Sequence, residues 1–359
     1  MKARIVHASE LGGDDIAAWQ RLQDASSLYR SPFYSPYFTR AIGMARSDAF
    51  VAVLEQGAET IGFLPFHRLA AGVAKPIGGQ ISDYHGPILA ENIDASGTEI
   101  LRACKLTSYD FNHLPVEQSW FSGGAYRTAL SRQIDLACGY QTYAEARTAV
   151  WKKTIKETTR RLRKAEREIG PVRFSFHEPS DDIYRQHVAL KNRWFAKNKI
   201  KSVLDLAWVD RAISAIRQTD RPDFSGVLTT VHAGDRLLGA HFGVRSRTVL
   251  HWWFPSYALE LAAYGPGMIV LSKAALEAEK HGLSLIDFGL GDQEYKLTFA
   301  NAATELCEGS FALAATRPGL IRSAQRRTLG MASQLPLGLY EDHLRRVLNR
   351  FISGTRLPS

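Results

Sequence analysis

The sequence predicts a two-domain chain of the α/β (α+β) class, each domain a mixed, mainly antiparallel sheet flanked by helices. Three observations predict it. The length of 359 residues fits two domains of ordinary size. A hairpin pattern occurs twice at one fixed spacing. In the second copy, three strands are followed by a helix and a further strand.

The repeat is carried by glycines and a carboxylate. Val53–Phe66 reads as two strands joined by a short turn at Gly57, and Val231–Phe242 reads the same way around Gly234. The pairs Gly57/Gly234 and Gly62/Gly239 share an offset, since 234−57 and 239−62 are both 177. Farther on, Tyr109-Asp110-Phe111 matches Ile286-Asp287-Phe288, and 287−110 is again 177. One offset at two distant places marks a duplication.

Within the second copy, Leu228–Val231, Leu237–Val244 and Val249–Phe254 are rich in β-branched and aromatic residues and read as successive antiparallel strands. The loop Ala263–Gly267 opens a helix over Met268–Lys280, which His281-Gly282 ends. Ser284–Phe288 follows as a strand, reached by a right-handed crossover and therefore parallel. Upstream, Trp151, Ile155, Leu162, Ala165 and Ile169 recur at helical spacing, with Lys153, Lys156, Arg160, Lys164 and Arg167 on another face. A strand over Val172–Phe176 and a helix from Asp181 through Phe195 come next. The expected boundaries are an N-terminal domain of residues 1–170 ending in the basic linker helix 151–169, a C-terminal domain of 171–316, and a basic helical tail of 317–359. In that tail Leu344, Val347, Leu348, Phe351 and Ile352 form an apolar stripe beside Arg345, Arg346 and Arg350.

Composition excludes several classes. With 45% hydrophobic and 23% charged residues the chain is globular rather than disordered. Its three cysteines, Cys104, Cys138 and Cys307, form no CxxC pair and no disulfide framework, and no metal is called for. The N-terminus turns polar at Lys2, without the apolar core of a signal peptide, and no stretch is apolar enough to span a bilayer. The expected location is cytoplasmic. A net charge of +9 implies attraction to an anionic partner such as CoA phosphates, a nucleotide-sugar, RNA or an acidic membrane surface.

At these residues the chain resembles a known family. The order of strands, Gly-Pro-Gly loop, helix and Asp287-Phe-Gly-x-Gly-Asp-x-x-Tyr-Lys296 is similar to the CelD/BcsL-type branch of the GNAT superfamily. That branch is associated with cellulose and exopolysaccharide biosynthesis. It is similar in fold to the Fem peptidoglycan aminoacyltransferases, which carry tandem GNAT-like domains. The similarity spans roughly residues 20–315, with weaker points at Ser31–Pro36, Gly62–Pro65, Asp83–Pro87 and the basic helix. It implies two GNAT-like domains in tandem. It also implies acyl transfer from acetyl-CoA or another acyl-CoA, as co-substrate, to an amine or hydroxyl of a saccharide or related metabolite.

Acyl transfer needs a held donor, a stabilised oxyanion and a sink for the nucleophile's proton. Tyr264, Gly265, Pro266, Gly267 and Met268 are assigned to the donor's phosphates, because glycines admit close backbone approach and a helix N-terminus favours negative charge. This loop departs from the Q/R-x-x-G-x-G/A turn usual in the superfamily. Tyr295-Lys296-Leu-Thr-Phe299 matches the aromatic-Lys-x-x-Phe sequence of the Fem-like relatives, which implies Lys296 at the oxyanion. Asp292 and Glu294 are the nearest proton acceptors, Tyr295 can protonate a leaving thiolate, and His251 is a further candidate base. Glu294 and Trp253 are also assigned to the acceptor. Asp287 is repeated as Asp110, which argues for a structural role. After Asp110-Phe111 comes Asn112-His-Leu-Pro115, with no counterpart of Gly291-Asp292 or Tyr295-Lys296. The chemistry therefore falls to the second half, and Tyr84 and His85 of the first are assigned to a cleft that binds the acceptor.

Three function classes stay open at this point: an acyl-CoA transferase, an aminoacyl-tRNA-dependent transferase using the basic helix on RNA phosphates, and a non-catalytic partner of a polysaccharide synthase. The basic helix and tail read either as solvated or docked faces, or as contacts with an anionic surface at the inner face of a membrane.

Overall fold

The computed structural model describes residues 1–91, 93–322 and 324, with Trp151 through its backbone alone. The first part of the chain forms β1 (Lys2–His7), α1 (Gly13–Ala25), α2 (Pro36–Ala45), β2 (Ala49–Gln56), β3 (Glu59–Arg68), β4 (Val73–Pro76), β5 (Ile88–Leu89), α3 (Gly97–Ala103), β6 (Ser108–Pro115), α4 (Ser119–Ser122) and β7 (Ala125–Asp135). A long α5 (Tyr140–Glu168) follows, then β8 (Val172–Ser175), α6 (Asp181–Lys197), α7 (Ala207–Arg217) and β9 (Asp220–Arg221). The chain continues with β10 (Phe224–Ala233), β11 (Arg236–Arg245), β12 (Val249–Tyr257), α8 (Pro266–Glu277), β13 (Leu285–Leu290), α9 (Glu294–Phe299) and β14 (Ala302–Ala312).

These elements form two compact units, one of Met1–Ala129 with the described residues from Glu305 to Ala324, the other of Leu130–Thr304. In the first unit the strand order is β1-β2-β3-β4-β6-β14, with β5 beside β3. Its core gathers Leu54, Leu64, Phe66, Ile100, Tyr109, Phe121 and Cys307. In the second the order is β7-β13-β12-β11-β10-β8, with β9 beside β10. Parallel pairing joins β4 to β6 and β12 to β13, and the other pairings are antiparallel.

The duplication extends to hydrogen-bond register. In the first hairpin the register shifts after Leu54↔Gly62 and resumes at Glu55↔Thr60; in the second it shifts after Val231↔Gly239 and resumes at His232↔Leu237. Each of these positions is offset by 177. The offset also covers the last strand of each copy, since β14 begins and ends at 302 and 312 where β7 does at 125 and 135. These two strands complete opposite units: β14 pairs with β6, whereas β7 pairs with β13.

This exchange moves the expected boundary. A line at Gly170 would separate β7 from β13 and α5 from the elements it packs on. Tyr143 Oη donates to Phe299 O at 2.8 Å, and the Arg147 guanidinium donates to the carbonyls of Leu297 and Thr298. Helix α5 also starts eleven residues before the expected Trp151, at Tyr140. Residues 140–150 lack a clean apolar stripe, and it is these bonds to α9 that hold them helical. The tail assignment from Leu344 to Ile352 lies outside the described residues.

The glycine that follows each hairpin turn differs in what surrounds it. A Cβ on Gly62 would lie 2.3 Å from Leu89 Cδ2 and 2.7 Å from Ile88 O, whereas on Gly239 it would meet nothing closer than 3.2 Å. Gly62→Ala is therefore expected to cost about 1–3 kcal/mol, and Gly239→Ala clearly less, by denaturant unfolding.

Candidate functional site

The second unit opens a gap between two strands. Register pairs between β12 and β13 stop at His251↔Asp287, so the edge of β12 from Phe254 to Tyr257 has no strand partner on that side among the described residues. Two features of the sequence keep it open. A bulge places Trp252 and Trp253 opposite the single residue Gly243, which must be glycine because a Cβ there would lie 2.2 Å from His251 O. Pro255 then sits inside the strand, where it has no N–H to give to a neighbour.

Asp287 fixes the other side of the gap. Its carboxylate accepts from Ser131 Oγ at 2.6 Å, Gln133 Nε2 at 2.7 Å and the Gly289 N–H at 2.8 Å. His251 Nδ1 lies 3.8 Å from the same carboxylate, and both residues are buried. The chain then turns away from β12 through Gly289 and Gly291, whose φ angles of 67° and 113° disfavour any side chain. Lys296 in α9 is buried, and its Nζ donates to Gly289 O at 3.3 Å and Leu290 O at 2.5 Å, which seats the ammonium at the end of β13.

The α8 N-terminus lies under α5. Met268 and Ile269 N–H both donate to Gly265 O, and Pro266 has no N–H, so the first turn offers an anion fewer amides than a glycine-rich cradle. Cations compensate. The Arg161 guanidinium packs against Gly265, and Lys164 Nζ stands 5.3 Å over the Tyr264 ring. Tyr264 Oη donates to Glu168, which holds its hydroxyl proton more tightly than usual. Between α5, α8 and α9 runs a half-enclosed groove of about 150 Å³ lined by Tyr143, Ile155, Leu162, Ile269, Lys273 and Phe299.

The remaining expected residues scatter. Asp292 is exposed and paired with Arg132 at 3.0 Å, and Glu294 is exposed at the first turn of α9. Tyr295 is half-buried with its edge against Phe288, and burial pushes its hydroxyl up to about 12, so it carries its proton at neutral pH. Trp253 is half-buried and stacks on Phe242 and Phe254. Tyr84 and His85 are buried in the first unit. There the His85 ring contacts Ser82 O at 2.9 Å and accepts from the His113 N–H, and burial holds its pKa well below the usual histidine range. His85 thus ties its own loop together.

Sequence reading missed a buried group on the β12 side. His187 and Lys191, one turn apart on α6, both reach β12: His187 Nδ1 is 2.8 Å from Ser256 Oγ, and Lys191 Nζ donates to Pro255 O at 3.0 Å. His241 stacks on Trp252 at 3.7 Å and its Nε2 accepts from the Trp253 N–H at the bulge. The one local mark in the sequence is the proline inside an otherwise good strand; the spacing of His187 and Lys191 is ordinary for a helix. Burial lowers His187 to about 3 and His241 well below the usual range, so both are neutral when folded. The unfolded chain takes up those protons below about pH 6.5. Stability is then present in full above that value and declines as pH falls toward the folded-state pKa, by up to about 1.4 kcal/mol per pH unit for each imidazole. Denaturant midpoints measured between about pH 7 and pH 4 check this, and a flat profile would contradict it.

Residues 152–297 match the family model described as an acetyltransferase (GNAT) domain, a span that runs from within α5 to Leu297 in α9. No curated protein matches the sequence. Among solved structures, the chain is similar to the C-terminal domain of a putative lysylphosphatidylglycerol synthetase from Agrobacterium fabrum, with a TM-score of 0.53 at 10% identity over 87% of this chain and 96% of that one. It is also similar to FemX, with a TM-score of 0.51 at 10% identity over 74% of this chain and 88% of that one. A conserved protein of unknown function from Bacteroides thetaiotaomicron VPI-5482 follows, with a TM-score of 0.50 at 9% identity over 82% and 97%. At such identities the likeness is one of fold. The chain has a mixed α/β fold of two units related by the internal repeat, and its second unit contains the matched acetyltransferase (GNAT) domain.

Proposed function

We propose that the protein is an acyltransferase of the CelD/BcsL type, moving an acetyl or other acyl group from acyl-CoA to an amine or hydroxyl of a saccharide or related metabolite in exopolysaccharide or cellulose biosynthesis. The observation that carries this reading is the gap between β12 and β13, which has a basic-flanked helix N-terminus at α8 and a buried lysine at the end of β13. An extended thioester donor fits such a gap, because the open strand edge offers backbone groups to its amides. Arg161, Lys164 and the α8 first turn face its phosphates.

In the reaction the acceptor's nitrogen or oxygen attacks the thioester carbonyl, and negative charge develops on the carbonyl oxygen. The Lys296 ammonium is assigned to that oxygen. Asp292 or Glu294 takes the nucleophile's proton, and as the C–S bond breaks Tyr295 gives its hydroxyl proton to the thiolate. The fixed carbonyls of Gly289 and Leu290 hold the ammonium without demanding a new alignment during the reaction.

Titration calorimetry with acetyl-CoA tests the donor. Saturable binding at millimolar concentration or tighter is expected, and no heat at millimolar donor would sink the proposal. Run beside it, charged tRNA tests the second reading, which the basic face of α5 from Lys152 to Arg167 favours. RNA binding would fall steeply with salt.

A further inference from the structure

Resting on the donor reading above, the geometry points to Lys191 as a second ligand-contacting cation of the β12–β13 gap, one that hydrogen-bonds the acyl carbonyl oxygen of the bound thioester. The placement follows from register. Ala258 N–H donates to Leu238 O, and antiparallel pairs alternate between bonded and non-bonded, so the bonded pairs continue at Ala240↔Ser256 and Phe242↔Phe254. His241↔Pro255 is then a non-bonded pair. The Pro255 carbonyl must point away from β11, toward the side on which β12 has no strand partner. Lys191 Nζ meets that carbonyl at 3.0 Å, so the ammonium stands at the open edge of β12. Only Phe254 separates Pro255 from the bulge at Trp252 and Trp253, just past the last pair with β13 at His251.

The surroundings are those of a functional rather than a solvated lysine. The side chain is buried, with its ammonium 4.8 Å from the Trp194 ring and 5.1 Å from the Phe195 ring. Burying an ammonium costs free energy, and here no carboxylate of β12 or α6 is paired with it. One carbonyl and two ring faces leave an ammonium with donor capacity to spend on a ligand. Asp287, the buried carboxylate of the gap, is committed to Ser131, Gln133 and Gly289. The two edges of the gap are thereby matched: Lys296 is seated on carbonyls of β13 and Lys191 on a carbonyl of β12. A pair of buried ammonium groups, one seated on each strand bordering the gap, suits a ligand that brings an oxygen acceptor and, in the transition state, negative charge. Desolvation lowers Lys191 to about 8, which agrees with a group held away from water.

A comparison of acetyl-CoA with CoA separates this role from a merely structural one, because the two ligands differ only in the acetyl group on the sulfur, which carries the carbonyl. In the wild type, acetyl-CoA is expected to bind more tightly than CoA. Lys191→Met keeps the aliphatic stem and should erase that preference, weakening acetyl-CoA roughly tenfold or more while leaving CoA unchanged. Lys191→Arg, which keeps the charge, should restore part of it and serves as the informative variant if the methionine form does not fold. Equal losses for both ligands would show that Lys191 only shapes the gap, and no change for either would show that it does not face the donor; both outcomes overturn the inference. A wild type that binds neither ligand overturns the donor reading itself, which is seen before any variant is made.

Discussion

Lys296→Met is expected to lower turnover by about 10²–10³-fold while leaving the affinity for acetyl-CoA nearly unchanged. The substitution keeps the stem that fills α9's buried side and removes only the charge. In the folded chain that charge sits on the carbonyls of Gly289 and Leu290, at the end of the strand bordering the gap. A ground-state interaction with the donor would appear mainly in binding, whereas stabilisation of a developing oxyanion appears in the rate. Some stability is also lost, because two carbonyls lose their donor; about 1–3 kcal/mol is the expected scale. Turnover within about threefold of wild type would remove Lys296 from the chemistry and leave it as a clamp on β13.

The second large effect is on stability. Asp287→Ala leaves the Ser131 hydroxyl, the Gln133 amide and the Gly289 N–H without their shared acceptor, all in the buried heart of the second unit. Unsatisfied buried donors cost about 1–3 kcal/mol each, so a loss of at least about 3 kcal/mol is expected. That corresponds to a fall in Tm of roughly 6–12 °C for a unit of this size. Asp110 gives the parallel case in the first unit, where its carboxylate accepts from Ser310 Oγ at 2.6 Å and from Arg322 Nη2 at 2.6 Å. Asp110→Ala strands a largely buried guanidinium and should cost a comparable amount. A change below about 1 kcal/mol at either carboxylate would refute the shared structural role.

Much of the fold was legible because it rests on local rules. The hairpins announce themselves by alternating apolar residues around Gly57 and Gly234, and the offset of 177 then carries over to Asp110 and Asp287, and in the structure to the bulges. What local rules do not hold is which strand pairs with which. The exchange of β7 and β14 between the units is a long-range choice, and no residue within either strand signals it. The expected boundary at Gly170 missed it for that reason. The first half of α5 was hidden in the same way, since Tyr143 and Arg147 are held helical by carbonyls of α9 more than 150 positions away.

The site divides along the same line. The turn around Gly289–Lys296 was readable because glycines at positive φ and a buried lysine leave marks in sequence. Lys191 and His241 were not, because their environment is made by tertiary packing: a lysine on α6 is ordinary until Pro255 of β12 is found beneath it. The pairing of exposed Asp292 with Arg132 was not legible either, because it depends on β7 lying next to β13.

Calorimetric titration of the wild-type chain with acetyl-CoA is the most direct test of an acyl donor in the gap between β12 and β13. One saturable site per chain is predicted, competed by CoA and weakened by Lys191→Met in preference for the acetyl group. No heat at millimolar donor, or binding that Lys191→Met and Lys296→Met leave untouched in affinity and in rate alike, would contradict it.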